Sequence, residues 1–106
     1  MQNKPNPKHS QLIQNVPNQV IRLEGVENYT RFIFDDGSSK LMSYTLKKYD
    51  SKLNFPFVRV NKSCIVNFNF CLSLCQINKR IQLIDGSEIQ ISRRRFEEVL
   101  KNVVLI

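Results

Sequence analysis

The chain has 106 residues, with 16 Lys+Arg against 9 Asp+Glu and a formal net charge of +7. That length is one domain able to bury a core, and 42% apolar residues with only 3 Gly and 4 Pro exclude a fully disordered or collagen-like chain. No apolar run approaches the ~20 residues of a membrane span, and the opening MQNKPNPKHS has no apolar signal region, so neither a membrane protein nor a signal-directed secreted one is expected.

In chain order, residues 1–18 are rich in Asn, Gln and Pro, and Pro5, Pro7 and Pro17 break any regular element. They read as a polar flexible arm with a short turn around residues 12–16, followed by one domain over residues 19–106. Residues 20–24 and 29–35 are rich in β-branched and aromatic residues and predict two strands. Asp36-Gly37 then predicts a tight hairpin turn, because Gly accepts the positive φ such turns need, and residues 38–43 form the returning strand. Thr45 is placed to cap a helix whose Leu46, Tyr49 and Leu53 share one face and whose Lys47, Lys48 and Lys52 share another. Asn54 and Pro56 end it.

Residues 57–60 and 64–66 predict two further strands joined by a bend at Asn61 to Ser63. Residues 71–76 and 80–84 flank a second hairpin, and Asp85-Gly86 turns the chain into residues 88–91. Ser92 is placed to cap a last helix with an apolar stripe of Phe96, Val99, Leu100 and Val103. The expected fold class is mostly β, with one inner helix and one short C-terminal helix.

The charge is not evenly spread. Residues 59–106 carry eight bases and four acids, and five of those bases fall in R-V-N-K (Arg59 and Lys62) and the triplet Arg93-Arg94-Arg95. Three arginines at a helix start oppose the helix dipole and repel one another, a placement that suits an anion-binding site better than stability. Arg59, Asn61, Lys62 and Ser63 offer donors at a strand end, and Asn28-Tyr29-Thr30-Arg31 offers amide, hydroxyl and guanidinium groups that can read base edges.

Little else in the chain suggests chemistry. Cys71 and Cys75, four apart on a strand, cannot chelate one ion, and no nearby His completes a metal set. Cys64, Cys71 and Cys75 read as small apolar fillers, and their odd number suits a reducing cytosol. The one histidine, His9, lies in the arm without acidic neighbours. No phosphate loop, HExxH or GxSxG is present, so no catalytic residue, metal or cofactor is assigned and an enzyme is not expected.

Taken in order, IRLEGVENYTRF, TLKKYDSKL, FVRVNKSCIVNFN, IQLIDGSEIQIS and SRRRFEEVL resemble the LytTR DNA-binding domain of bacterial transcription regulators, from about Val20 to Val103. The resemblance implies an elongated fold of small stacked antiparallel sheets. Loops, rather than a recognition helix, would enter the major groove of double-stranded DNA, with two copies on direct-repeat sites. It implies base contacts from Tyr29, Thr30 and Arg31, from Asn61 and Lys62, and from Arg94. The family commonly has His where this chain has Asn61, which donates and accepts hydrogen bonds but does not titrate near neutral pH. Many members also carry a receiver or membrane segment, and the initial Met favours a stand-alone regulator over a fragment.

The expected function is therefore sequence-specific duplex-DNA binding by a cytoplasmic bacterial transcription regulator, with no membrane or small-molecule partner. Asn28, Tyr29, Thr30, Arg31, Asn61, Lys62 and Arg94 would read bases, while Arg59, Lys62, Ser63, Ser92, Arg93 and Arg95 would hold phosphates. The alternative is a non-catalytic basic module that docks an acidic protein partner.

Overall fold

Two antiparallel sheets share one polypeptide in the computed structural model, which describes residues 20–103. The arm expected over residues 1–18 and its turn lie outside the described residues. The first sheet contains β1 (Val20–Val26), β2 (Tyr29–Phe34), β3 (Ser39–Met42), β4 (Phe57–Asn61) and β5 (Cys64–Asn67), in the order β3-β2-β1-β5-β4. The second contains β6 (Cys71–Cys75), β7 (Arg80–Leu83) and β8 (Glu88–Gln90), in sequence order. Helix α1 spans Leu46–Lys52 and helix α2 spans Arg93–Val103. The body measures 48 × 24 × 23 Å, the elongated shape that the family resemblance implies.

The central sheet is buried on both faces because its strands alternate side chains between two cores. On one face Val20, Leu23, Phe32, Phe57 and Ile65 pack with Leu46 and Tyr49 of α1. Tyr49 meets Phe32 edge-on at 5.1 Å between centroids, a geometry worth about 0.5–1.5 kcal/mol beyond area burial. On the other face Ile21, Val60, Cys64 and Val66 pack against Ile81 and Leu83 of β7, Ile91, and Val99 of α2. A bulge between Val20 and Arg22 lets Ile21 join that second core while Arg22 reaches Asp85 and Ser87 beyond it.

Helix α1 starts where Thr45 predicts: its Oγ1 accepts from the Lys48 amide at 3.3 Å. Both Asp-Gly turns form, with Gly37 and Gly86 at φ +89°. Neither Asp36 nor Asp85 has positive φ, so each turn places only its glycine in the left-handed region, as in a type I turn closed by a glycine bulge. The Asp36 and Asp85 carboxylates accept from the amide and hydroxyl of Ser38 and Ser87 respectively, which fixes both turns.

One short element was not anticipated, and one expectation needs adjusting. Between β5 and β6 the chain makes a short 3-10 turn over Phe68–Phe70, set by the buried Asn67, whose side chain donates to Val20 O and accepts from the Asn69 amide. The cysteines are not alike either. Cys64 is buried, and burial pushes its thiol up to about 12, whereas Cys75 is exposed and fills no core.

Candidate nucleic-acid interface

Strand direction brings three separate chain segments to one end of the central sheet. The β1–β2 turn at Glu27-Asn28, the end of β3 at Met42, and the β4–β5 turn at Lys62-Ser63 all lie there, because Gly25 pairs with Thr30 and Thr30 with Met42. The Gly25 amide donates to Ser63 O at 2.9 Å and ties the first turn to the third. The Asn61 side-chain amide donates to Gln90 O at 2.6 Å, and the Ser92 amide donates to Val60 O at 2.9 Å. These two bonds fasten the β4–β5 turn to the start of α2. Three motifs far apart in sequence thus form one edge: Asn28 to Arg31, Arg59 to Ser63, and Ser92 to Arg95.

Within that edge the residues divide sharply. Lys62, Arg93 and Arg94 are exposed, and among the described residues none of them has an ion-pair partner. Asn28 and Tyr29 are exposed and Arg31 is half-buried. Ser63 is exposed, but its amide donates to Asn61 Oδ1 at 2.7 Å. Asn61 therefore shapes the turn with both ends of its side chain. It retains one amide hydrogen and one oxygen lone pair for a ligand.

Four other residues expected at the DNA are already engaged within the fold. Thr30 is fully buried, and its hydroxyl donates to Tyr44 O at 2.8 Å. The Arg59 side chain is only 14% exposed. Its Nε donates to Asn61 O and its Nη2 to Lys62 O, at 3.1 and 2.7 Å, and its Nη1 lies 3.5 Å from Asp50 of α1. It clamps the turn from beneath. The Ser92 amide is occupied by Val60 O, and its Oγ accepts from the Arg95 amide at 3.3 Å, which is a helix cap. Arg95 lines a cleft of about 310 Å³ between α1, β4 and α2, beside Arg59 and the carboxylates of Asp50 and Glu98.

One residue of the edge escaped the sequence reading. Lys79, in the β6–β7 turn, accepts the Ile91 amide at its carbonyl at 2.8 Å, and its ammonium sits 5.0 Å from the Phe96 ring centroid. That stacking holds a further cation beside the first turn of α2. The only signal was the register of β7 and β8, which pairs Arg80 with Gln90 and so sets this turn against the start of α2. Lys79 and Glu27 also take left-handed φ values of 54° and 55° without being glycine, so both turns of the edge hold backbone strain of about 1–2 kcal/mol each.

Among the described residues no group of three or more His, Cys, Asp or Glu could hold a metal ion, and no helix is long and apolar enough to cross a membrane. One edge of this β scaffold gathers amide groups and exposed cations that are unpaired among the described residues, a pattern whose charge complements a polyanion. Comparisons with known proteins define that class more closely. The model of the LytTr DNA-binding domain matches residues 10–103. Among solved structures the chain is similar to a LytTr DNA-binding domain from Bacillus cereus, of a protein described as a methyl-accepting/DNA response regulator. That match has a TM-score of 0.70 at 19% identity and covers 80% of this chain and 81% of that one. No curated protein matches the chain in sequence. The chain belongs to the LytTR DNA-binding domain family, a non-catalytic family whose membership implies DNA binding in a bacterial regulator.

Proposed function

We propose that this domain recognises a specific duplex-DNA sequence in the bacterial cytoplasm and thereby regulates transcription, with the loop edge entering the major groove. The observation that carries the reading is the joining of the Asn28 to Arg31, Asn61 to Ser63 and Arg93 to Arg94 segments on one edge by the Gly25–Ser63, Asn61–Gln90 and Ser92–Val60 bonds. Arg94 presents a planar fork suited to guanine O6 and N7, and Asn28, Tyr29, Arg31 and the remaining valences of Asn61 offer further base contacts. Lys62, Arg93 and the Ser63 hydroxyl hold phosphates, and Lys79 adds a cation on the α2 side. Arg59, Thr30 and Ser92 position these groups. Two copies would sit on a direct repeat, each placing the same edge in successive turns of the groove.

Selection of bound fragments from random duplexes tests this directly. A recovered direct repeat with half-sites about one helical turn apart supports the reading. Recovery of no preferred sequence, with binding to acidic protein instead, overturns it.

A further inference from the structure

A second basic surface adjoins the loop edge, on the α1 face of the central sheet. Lys47, Lys48 and Lys52 of α1 are all exposed, and among the described residues none is in an ion pair. The helix's one acid, Asp50, is engaged with Arg59 on the side toward β4. On the side toward β3, the Lys48 and Lys52 ammonium groups lie 4.8 and 5.9 Å from the Tyr44 ring centroid. Tyr44 in turn packs on the buried Tyr49 at 5.7 Å and is itself 37% exposed. Lys40 of β3 pairs in register with Phe32, so it stands on this same face of the sheet.

This surface is continuous with the loop edge. Tyr44 O accepts the Thr30 hydroxyl at 2.8 Å, and a Cβ placed on Gly25 would meet the Leu46 side chain at 3.6 Å. The first turn of α1 is therefore beside the β1–β2 turn. The ring also restrains two flexible lysines. Their ammoniums repel each other, yet both are held at the one Tyr44 ring, so less rotamer freedom is lost when they bind an anion.

We infer that Tyr44, Lys48 and Lys52, with Lys47 and Lys40 beside them, form a second phosphate-binding surface. It would grip the DNA backbone flanking the groove contact on the β3 side and lengthen the footprint without reading sequence. The inference rests on the DNA-binding reading above. A duplex that enters the groove at the loop edge must carry its backbone past the neighbouring face. A lysine cluster on a tyrosine ring supplies point charges for phosphate, but no planar fork for a base.

The test uses the full chain and its selected duplex, with the Lys48→Gln/Lys52→Gln variant, whose substituted side chains are exposed. Unfolding curves that coincide with wild type establish that the variant is folded. The slope of log K against log salt should become shallower by about 0.9 for each lost phosphate contact. Hydroxyl-radical protection should vanish on the β3-side flank and persist over the core site. Trimming that flank from the duplex should weaken wild type but not the variant, whereas Arg94→Ala should lose core discrimination and keep the flank dependence. An unchanged slope and footprint in the double variant, with Arg94→Ala still losing discrimination, overturns this inference and leaves the groove reading intact. A wild-type chain that selects no duplex at all defeats both.

Discussion

The β4–β5 turn and the first turn of α2 are fastened side by side, yet they use their arginines in opposite ways. Arg59 is folded beneath its own turn, with Nε and Nη2 donating to the Asn61 and Lys62 carbonyls and Nη1 facing Asp50. Arg93 and Arg94, a few ångströms of chain from the Ser92–Val60 bond, are exposed and unpaired among the described residues. The first arrangement satisfies backbone carbonyls that a tight turn leaves without strand partners. The second leaves like charges adjacent at the positive end of a helix dipole, which costs a few tenths of a kcal/mol per residue. One region uses a guanidinium group to build shape, and the other, on the function proposed above, offers two to a ligand. Loss of charge should therefore lower stability in the first region and binding in the second.

The largest expected effect is at Arg59. Arg59→Ala removes two charge-assisted hydrogen bonds from a half-buried site and should destabilise the fold by about 2–3 kcal/mol in urea unfolding. DNA affinity should fall on cognate and random duplexes together, because the turn that carries Asn61 and Lys62 loses its support. Arg59→Lys should rescue little, since an ammonium cannot bond two carbonyls and a carboxylate with one planar fork. Normal stability with selective loss of the cognate site would mean that Arg59 faces DNA after all.

Arg94→Ala should do the converse. Its unfolding midpoint should stay within about 0.5 kcal/mol of wild type, as for exposed sites generally. Cognate binding should weaken by about 1–3 kcal/mol, with one base preference relaxed. Equal loss on cognate and random DNA would reassign it to the phosphates. Lys62→Ala is expected to be smaller again. It should weaken all duplexes evenly, leave stability unchanged and flatten the salt dependence by about 0.9 in slope, read from titrations at several salt concentrations.

The contrast between Arg59 and Arg94 shows what the sequence could carry. The two Asp-Gly turns, the Thr45 cap, the succession of strands along the chain and the basic clusters were legible, because each depends on residues within a few positions of one another. The direction of a side chain within a turn was not, because the carbonyls that capture Arg59 exist only once β4 and β5 are paired. Thr30 is an intermediate case. Strand alternation puts it on the face of Phe32 and Phe34, and Phe32 is core, so its burial could have been read from period two alone. The family motif made it a contact residue and hid that signal. Lys79 and the Asn61–Gln90 bond needed the β7–β8 register, which no local pattern supplies.

The smallest effect tests whether Arg22 belongs with Arg59 among the arginines that build shape. Arg22 joins Glu24 on its own strand to Asp85 and Ser87 of the β7–β8 turn, both donor distances across that junction being near 3 Å. At Asp85, burial pushes the carboxyl up, but the Ser87 hydroxyl and amide together with Arg22 more than offset it and hold it below its ordinary value of 3.8. A carboxyl whose folded-state pKa lies below its unfolded one contributes stability above the unfolded value and loses it as pH falls through the folded value. Unfolding measured from neutral pH down through the carboxylate range should therefore show a modest acid-side loss, and Asp85→Asn should reduce that loss. If the acid limb is the same in Asp85→Asn and wild type, the Arg22 junction contributes no measurable stability. The division between shape-building and ligand-facing arginines would then rest on Arg59 alone.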